Sequence, residues 1–129
     1  MNKIIAEISV GELLDKISIL EIKLEKIKDQ TKLKFVSDEH SILKNQLDSN
    51  IKSNDHLDKL FQSLKKINSK LWVIEDDKRY CEKEKDFGEK FIKLSRDIHF
   101  LNDDRAKIKL EINENTGSKI KEIKEYTNY

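Results

Sequence analysis

The stretch SVGELLDKISILEIKLEKI, residues 9–27, carries both the start signal and the repeating face of an amphipathic helix. Ser9 and Glu12 form a capping box, in which the Ser9 hydroxyl accepts from the Glu12 amide and the Glu12 side chain reaches back to the Ser9 amide. Apolar residues then recur at alternating three- and four-residue steps: Val10, Leu13, Ile17, Leu20, Leu24 and Ile27. This spacing predicts a helix that packs lengthwise against other helices.

Two longer stretches repeat the pattern, and the sequence contains no proline to interrupt them. Their apolar positions are Leu57, Leu60, Leu64, Ile67, Leu71 and Ile74, and then Phe91, Leu94, Ile98, Leu101, Ile108 and Ile112. We predict an all-α fold, an antiparallel bundle of three or four helices with coiled-coil-like seams. The expected core includes Leu20, Leu64, Leu71, Leu94 and Leu101. One domain is expected, with helices at about 9–30, 37–48, 55–84 and 88–115 and a short tail, 118–129, that is docked or mobile.

The connection between the first two helices has two interpretations. Thr31, Phe35 and Val36 are poorer helix formers, so we favour a break at residues 31–36 with Ser37 capping a second helix. The alternative is one long helix from Ser9 to Leu47.

The composition restricts the classes of function. The net charge of +1 is balanced, so nucleic acid is not an expected partner. The N-terminus lacks the apolar segment of a signal peptide, no apolar run could span a bilayer, and Cys81 is the only cysteine. These features predict a cytoplasmic protein. The sequence contains no glycine-rich phosphate loop, HExxH or CxxC motif, which favours a protein that is not an enzyme.

Arg105 occupies a seam position between Leu101 and Ile108. A guanidinium stays charged and needs acceptors there, while Asp103 and Asp104 point to other helix faces. We expect Arg105 to be mostly buried and bonded to a carboxylate outside residues 56–84, or to line a cleft that is open to an anion.

A second polar group lies beside the seam of the preceding helix. Trp72, Glu75, Arg79 and Glu82 share one helix face, with Asp76 next to it. This group is either a solvated ladder of charges or one wall of a pocket. A hairpin closed at residues 85–88 would bring Asn102 to a similar height. The candidate ligand-binding residues are Trp72, Glu75, Asp76, Arg79, Asn102, Asp103 and Arg105; Glu12 and Asp15 are explained by capping and by the helix dipole.

Three segments together resemble a known family: GELLDK and ILEIK at residues 11–23, LWVIEDDKR at 71–79 and NDDRAKIK at 102–109. The family consists of uncharacterised small bacterial and phage helical proteins, a domain of unknown function. The resemblance implies that the gene for this chain lies near genes for cell-surface polysaccharide biosynthesis.

Two functions follow from these observations. The first is a non-enzymatic binding or assembly module accessory to surface-polysaccharide biosynthesis, with a protein partner or a second copy of the chain. The alternative is a small enzyme or ligand-binding protein for an anionic ligand, phosphorylated or a sugar nucleotide. That ligand would be held by the Asp, Glu, Arg and Asn cluster, with Mg²⁺ required only in this second case.

Overall fold

A computed structural model describes residues 2–129 and contains four α-helices and, over those residues, no β-strand. The helices are α1 (Val10–Lys26), α2 (Gln30–Asn50), α3 (Asp55–Lys83) and α4 (Glu89–Thr116). The predicted all-α bundle is confirmed, with four helices. None of these helices is long and apolar enough to cross a membrane.

The ends of the helices follow from local side-chain chemistry. The Ser9 hydroxyl accepts from the Glu12 amide at 3.0 Å, and Asn54 caps α3 by accepting from the Leu57 amide at 2.9 Å. Gly117 ends α4 in the left-handed conformation, with φ of 64°. This conformation favours glycine because it has no Cβ.

The predicted break at residues 31–36 is wrong, because α2 runs through all of them. The chain breaks instead at 27–29, where the Asp29 side chain accepts from the Lys32 amide at 3.0 Å and caps α2. An N-cap typically contributes about 1 kcal/mol, which offsets the few tenths lost at each poor helix former such as Thr31 or Phe35.

The directions of the helices follow from their contacts. Asp15 and Glu12 on α1 bind Arg105 and Lys109 on α4, so these two helices are antiparallel. The short connection at residues 84–88 likewise makes α3 and α4 antiparallel, and α1 and α3 therefore run in the same general direction. Helix α2 returns along α1 and packs on that helix alone, without burying a single residue.

The core lies where α1 meets the first half of α3 and the second half of α4. It is built around Leu14, Leu57, Leu60, Leu64 and Ile112. The predicted burial of Leu20, Leu64 and Leu71 is confirmed.

The prediction for Leu94 and Leu101 is wrong, because both are only half-buried. Helices α3 and α4 have 29 and 28 residues whereas α1 has 17, so the far end of the hairpin extends past α1. Between Trp72 and Ile108, Cys81 is the only buried residue. We call residues 73–101 the distal hairpin. The packed end is the region in which α1 packs on the first half of α3 and the second half of α4.

The segment after Gly117 has no regular structure and lies back along α4. The Ser118 hydroxyl accepts from the Val10 amide at 3.1 Å, Glu122 contacts Lys109, and Tyr129 contacts Asp103. These contacts place residues 118–129 alongside α4, from Lys109 to Asp103.

Candidate functional site

A buried carboxylate, Asp15, connects α1 with α3 and α4. Its side chain is only 2% exposed. Asp15 Oδ1 accepts from Asn68 Nδ2 at 2.8 Å and from Arg105 Nε at 3.0 Å, and Oδ2 accepts from Arg105 Nη2. The hydrogen bond to Asp15 raises the pKa of Arg105 despite its partial burial. The expected carboxylate partner of Arg105 from outside residues 56–84 is therefore confirmed.

A second cation, Lys109, is buried one turn further along α4. Its Nζ donates to Glu12 at 2.7 Å and to Glu122 of the tail at 3.1 Å, and lies 3.8 Å from Asp15. Burial disfavours the charge, but the hydrogen bonds to Glu12 and Glu122 and the charge of Asp15 raise the Lys109 pKa overall. The role assigned to the Glu12 side chain is corrected: its oxygens bind Lys109 and Lys16 rather than the Ser9 amide.

Gly11 allows α1 and α4 to approach closely enough for these contacts. A Cβ at Gly11 would lie 2.5 Å from the Lys109 carbonyl oxygen and 2.9 Å from Asn113 Oδ1. The Gly11 amide instead donates to Asn113 Oδ1 at 2.7 Å. The missing side chain therefore sets the spacing that lets Asp15 reach Arg105.

A cleft of about 510 Å³ opens beside the pair formed by Asp15 and Arg105. Its lining residues are Ile19, Ile22, Asn68, Leu71, Trp72, Glu75, Asp76, Arg79, Asn102 and Arg105. Six of the seven candidate residues thus line one cleft, together with three aliphatic side chains and Asn68. The cleft spans the boundary between the packed end and the distal hairpin.

The charged groups of the cleft differ in how they are held. Arg105 is fixed by Asp15, and its Nη1 also donates to Asn102 at 3.3 Å. Glu75, Asp76 and Arg79 are exposed and take part in none of the ion pairs within residues 2–129. These three side chains are therefore available to a ligand without breaking an ion pair.

Asp103 is the candidate that lies outside the cleft. It points to the tail, where it contacts the Tyr129 hydroxyl. A second pair of neighbouring carboxylates, Glu21 and Glu25 on α1, is bridged by Lys65 at 3.2 and 2.9 Å. Within residues 2–129, no three His, Cys, Asp or Glu side chains meet in a way that could hold a metal ion.

Asp15, Asn68 and Lys109 were not among the sequence candidates, although they hold the site together. A signal for Asp15 is present in the sequence. Gly11, Asp15, Ser18 and Ile22 follow one another at four- and three-residue steps, so a face of mostly small and polar residues runs beside the apolar seam. Such a face is suited to close packing against a polar helix.

The chain is thus a small all-α bundle with a cleft between its helices that is lined by both charged and apolar residues. Residues 4–129 match the model of a Family of unknown function (DUF6165). The chain belongs to this family, and the expectation that it is a member of a family of unknown function is confirmed. No curated protein and no solved structure matches the chain.

Proposed function

We propose that the chain is a ligand-binding module whose cleft takes a phosphorylated small molecule. The observation that supports this proposal is the anchoring of Arg105 by Asp15 at the side of the cleft. A guanidinium has five N–H donors. Asp15 and Asn102 take three of them, so two remain for a ligand. Because arginine pairs well with phosphate oxygens and Arg105 is already held in place, little ordering is needed on binding.

The acidic side chains of the cleft restrict the ligand further. Glu75 and Asp76 repel a bare anion but accept hydrogen bonds from N–H or O–H groups. A ligand that carries donors at some distance from its phosphate would satisfy both kinds of residue. Arg79, one turn beyond Glu75 on the same face, adds a second cation.

The biological setting proposed for this ligand comes from the resemblance of the three sequence segments. Proteins of that kind are expected beside genes for cell-surface polysaccharide biosynthesis. We therefore propose that the module is accessory to such enzymes and binds a phosphorylated sugar or sugar nucleotide without catalysing a reaction. If the protein were an enzyme, Mg²⁺ would be required, and Glu75 and Asp76 are the carboxylates of the cleft that would hold it.

Thermal unfolding in the presence of sugar phosphates, nucleotides and sugar nucleotides, with and without Mg²⁺, tests the proposal. A ligand at 100 times its Kd stabilises the folded state by about 2.7 kcal/mol. Arg79→Ala should weaken binding without loss of stability, because Arg79 is exposed and unpaired. Arg96→Ala is the matched control, since Arg96 is an exposed arginine of the same hairpin outside the cleft. Equal affinity of both variants for the ligand would argue against the cleft as the binding site.

A second candidate function is assembly through the distal hairpin, with a second copy of the chain as the partner. Tyr80, Phe87 and Ile92 are 58%, 50% and 55% exposed there. The distal hairpin has nearly equal numbers of acidic and basic residues, so a second copy is not repelled. Sedimentation over a range of concentrations tests this candidate: Ile92→Glu should abolish a dimer, and a wild-type monomer at all concentrations excludes it.

A further inference from the structure

We propose that the phosphorylated ligand of the cleft is a nucleotide whose base stacks on Trp72. This inference rests on the proposed function and adds a base, its position and the residues that contact it.

The order of the groups along α3 separates the two polar ends of the cleft. Asn68 lies beside the pair formed by Asp15 and Arg105, whereas Glu75 lies seven residues further on. At 1.5 Å per residue these positions are about 10 Å apart along the helix axis. An extended ligand with its phosphate at Arg105 would therefore present its other end to Glu75, Asp76 and Arg79.

The middle of the cleft is apolar. Trp72 lies between the two polar ends on α3, and Ile19, Ile22 and Leu71 complete the apolar surface. Trp72 is half-buried, so part of its ring remains accessible. A flat ring with two π-faces makes better use of this surface than a sugar alone. Stacking of a base on an aromatic side chain strengthens binding roughly fivefold to more than a hundredfold.

The far end of the cleft offers an acceptor next to a donor. Glu75 and Arg79 are four residues apart on one face of α3, so a carboxylate and a guanidinium are neighbours. The edge of a nucleobase presents N–H donors beside ring-nitrogen or carbonyl acceptors, which is the complementary arrangement. The parts of a nucleotide match the cleft in the same order: the phosphate lies at Arg105, the base stacks on Trp72, and the edge of the base meets Glu75 and Arg79.

Intrinsic fluorescence tests this inference directly, because Trp72 is the only tryptophan in the sequence. Nucleoside monophosphates are titrated into the wild-type protein and compared with ribose 5-phosphate, which keeps the sugar and the phosphate but lacks the base. We expect a nucleotide to quench Trp72 and to bind at least about fivefold more tightly than ribose 5-phosphate.

The other outcomes separate the two proposals. Equal affinity for ribose 5-phosphate and for every nucleotide would overturn the inference that a base is bound. Tight nucleotide binding without a change in Trp72 fluorescence would overturn the stacking on Trp72. Both outcomes leave the proposal of a phosphorylated ligand standing. If neither class binds, and no sugar phosphate or sugar nucleotide raises the Tm, both proposals are overturned. Trp72→Leu should remove the advantage of the nucleotide and spare ribose 5-phosphate, while Trp72→Phe should keep part of it; calorimetry measures both variants.

Discussion

At the packed end polar side chains such as Asp15 and Asn113 are buried, whereas in the distal hairpin apolar side chains such as Tyr80 and Ile92 are exposed. The difference follows from the number of helices at each level. Three helices meet at Asp15, whereas beyond the reach of α1 no third helix in the described part of the chain packs on α3 and α4. In this chain, the burial of a residue depends on how many helices pack together at that height of the bundle, as well as on the polarity of the residue.

The comparison also indicates how the molecule divides stability from binding. All buried residues except Cys81 lie at the packed end, so this region should determine the free energy of unfolding. The distal hairpin contributes little to the core and leaves Glu75 and Arg79 exposed. The cleft lies where the two regions meet, with Arg105 fixed in one and Arg79 in the other.

The largest expected effect tests the packed end at Asp15. Asp15→Leu leaves Arg105 and Lys109 without a shared carboxylate, and removal of one partner from a buried ion pair costs about 3–5 kcal/mol. Urea denaturation followed by circular dichroism measures the loss. Asp76→Leu is the control, since an exposed carboxylate of the cleft should change the stability by less than about 0.5 kcal/mol. Similar losses in both variants would remove the distinction between the two regions.

The second effect compares apolar side chains in the two regions. Leu71 is 7% exposed and Ile92 is 55% exposed. Leu71→Ala should cost about 2–5 kcal/mol because it leaves a cavity in the core. Ile92→Ala should cost well under about 1 kcal/mol, because solvent already surrounds most of the side chain. Chemical denaturation of both variants under one condition checks this; a loss below about 1 kcal/mol for Leu71→Ala would contradict its place in the core.

The third effect concerns the close contact of α1 with α4. Gly11→Ala places a Cβ 2.5 Å from the Lys109 carbonyl oxygen, so the helices must move apart. Overpacking of this kind costs about 1–3 kcal/mol. Gly88→Ala is the matched control in the distal hairpin, because the nearest atom to its Cβ, Asp86 Oδ1, lies at 3.4 Å. Thermal unfolding should show a lower Tm for Gly11→Ala alone, and an unchanged Tm would mean that the helices adjust without cost.

The sequence predicted the features that depend on neighbouring residues. The Ser9 cap and the turn predicted at residues 85–88 each follow from a few adjacent side chains. The error at Leu94 and Leu101 has a different origin. A heptad pattern indicates which face of a helix meets a partner, but the degree of burial depends on how far the other helices extend.

The site was predictable in part for a similar reason. The seam position of Arg105 required an acceptor, and Trp72, Glu75 and Arg79 share a helix face that the sequence displays. The identity of the acceptor depends on the register of α1 against α4. No short loop joins these helices, so hairpin geometry could not indicate that Asp15 faces Arg105.

The smallest effect concerns the tail, which adds Glu122 to the packed end. The hydrogen bond from Lys109 lowers the pKa of Glu122 below its ordinary value of 4.5. A carboxylate with a lowered pKa in the folded state stabilises that state above its ordinary pKa, and this contribution is lost as the pH falls through the folded-state value. Since the Glu122 side chain is 44% exposed, the change in global stability should be slight.

Hydrogen exchange of residues 118–129 therefore provides the measurement, from pH about 7 to about 3 and corrected for the intrinsic pH dependence of exchange. Glu122→Gln should increase exchange in the tail at neutral pH, because it removes the charge that binds Lys109, and should match the wild type in acid, where Glu122 is protonated. Glu125→Gln is the control, since Glu125 is exposed and outside the ion pairs of the tail. If Glu122→Gln and the wild type exchange alike at every pH, the contact with Lys109 does not hold the tail against α4, and Ser118 and Tyr129 must do so without it.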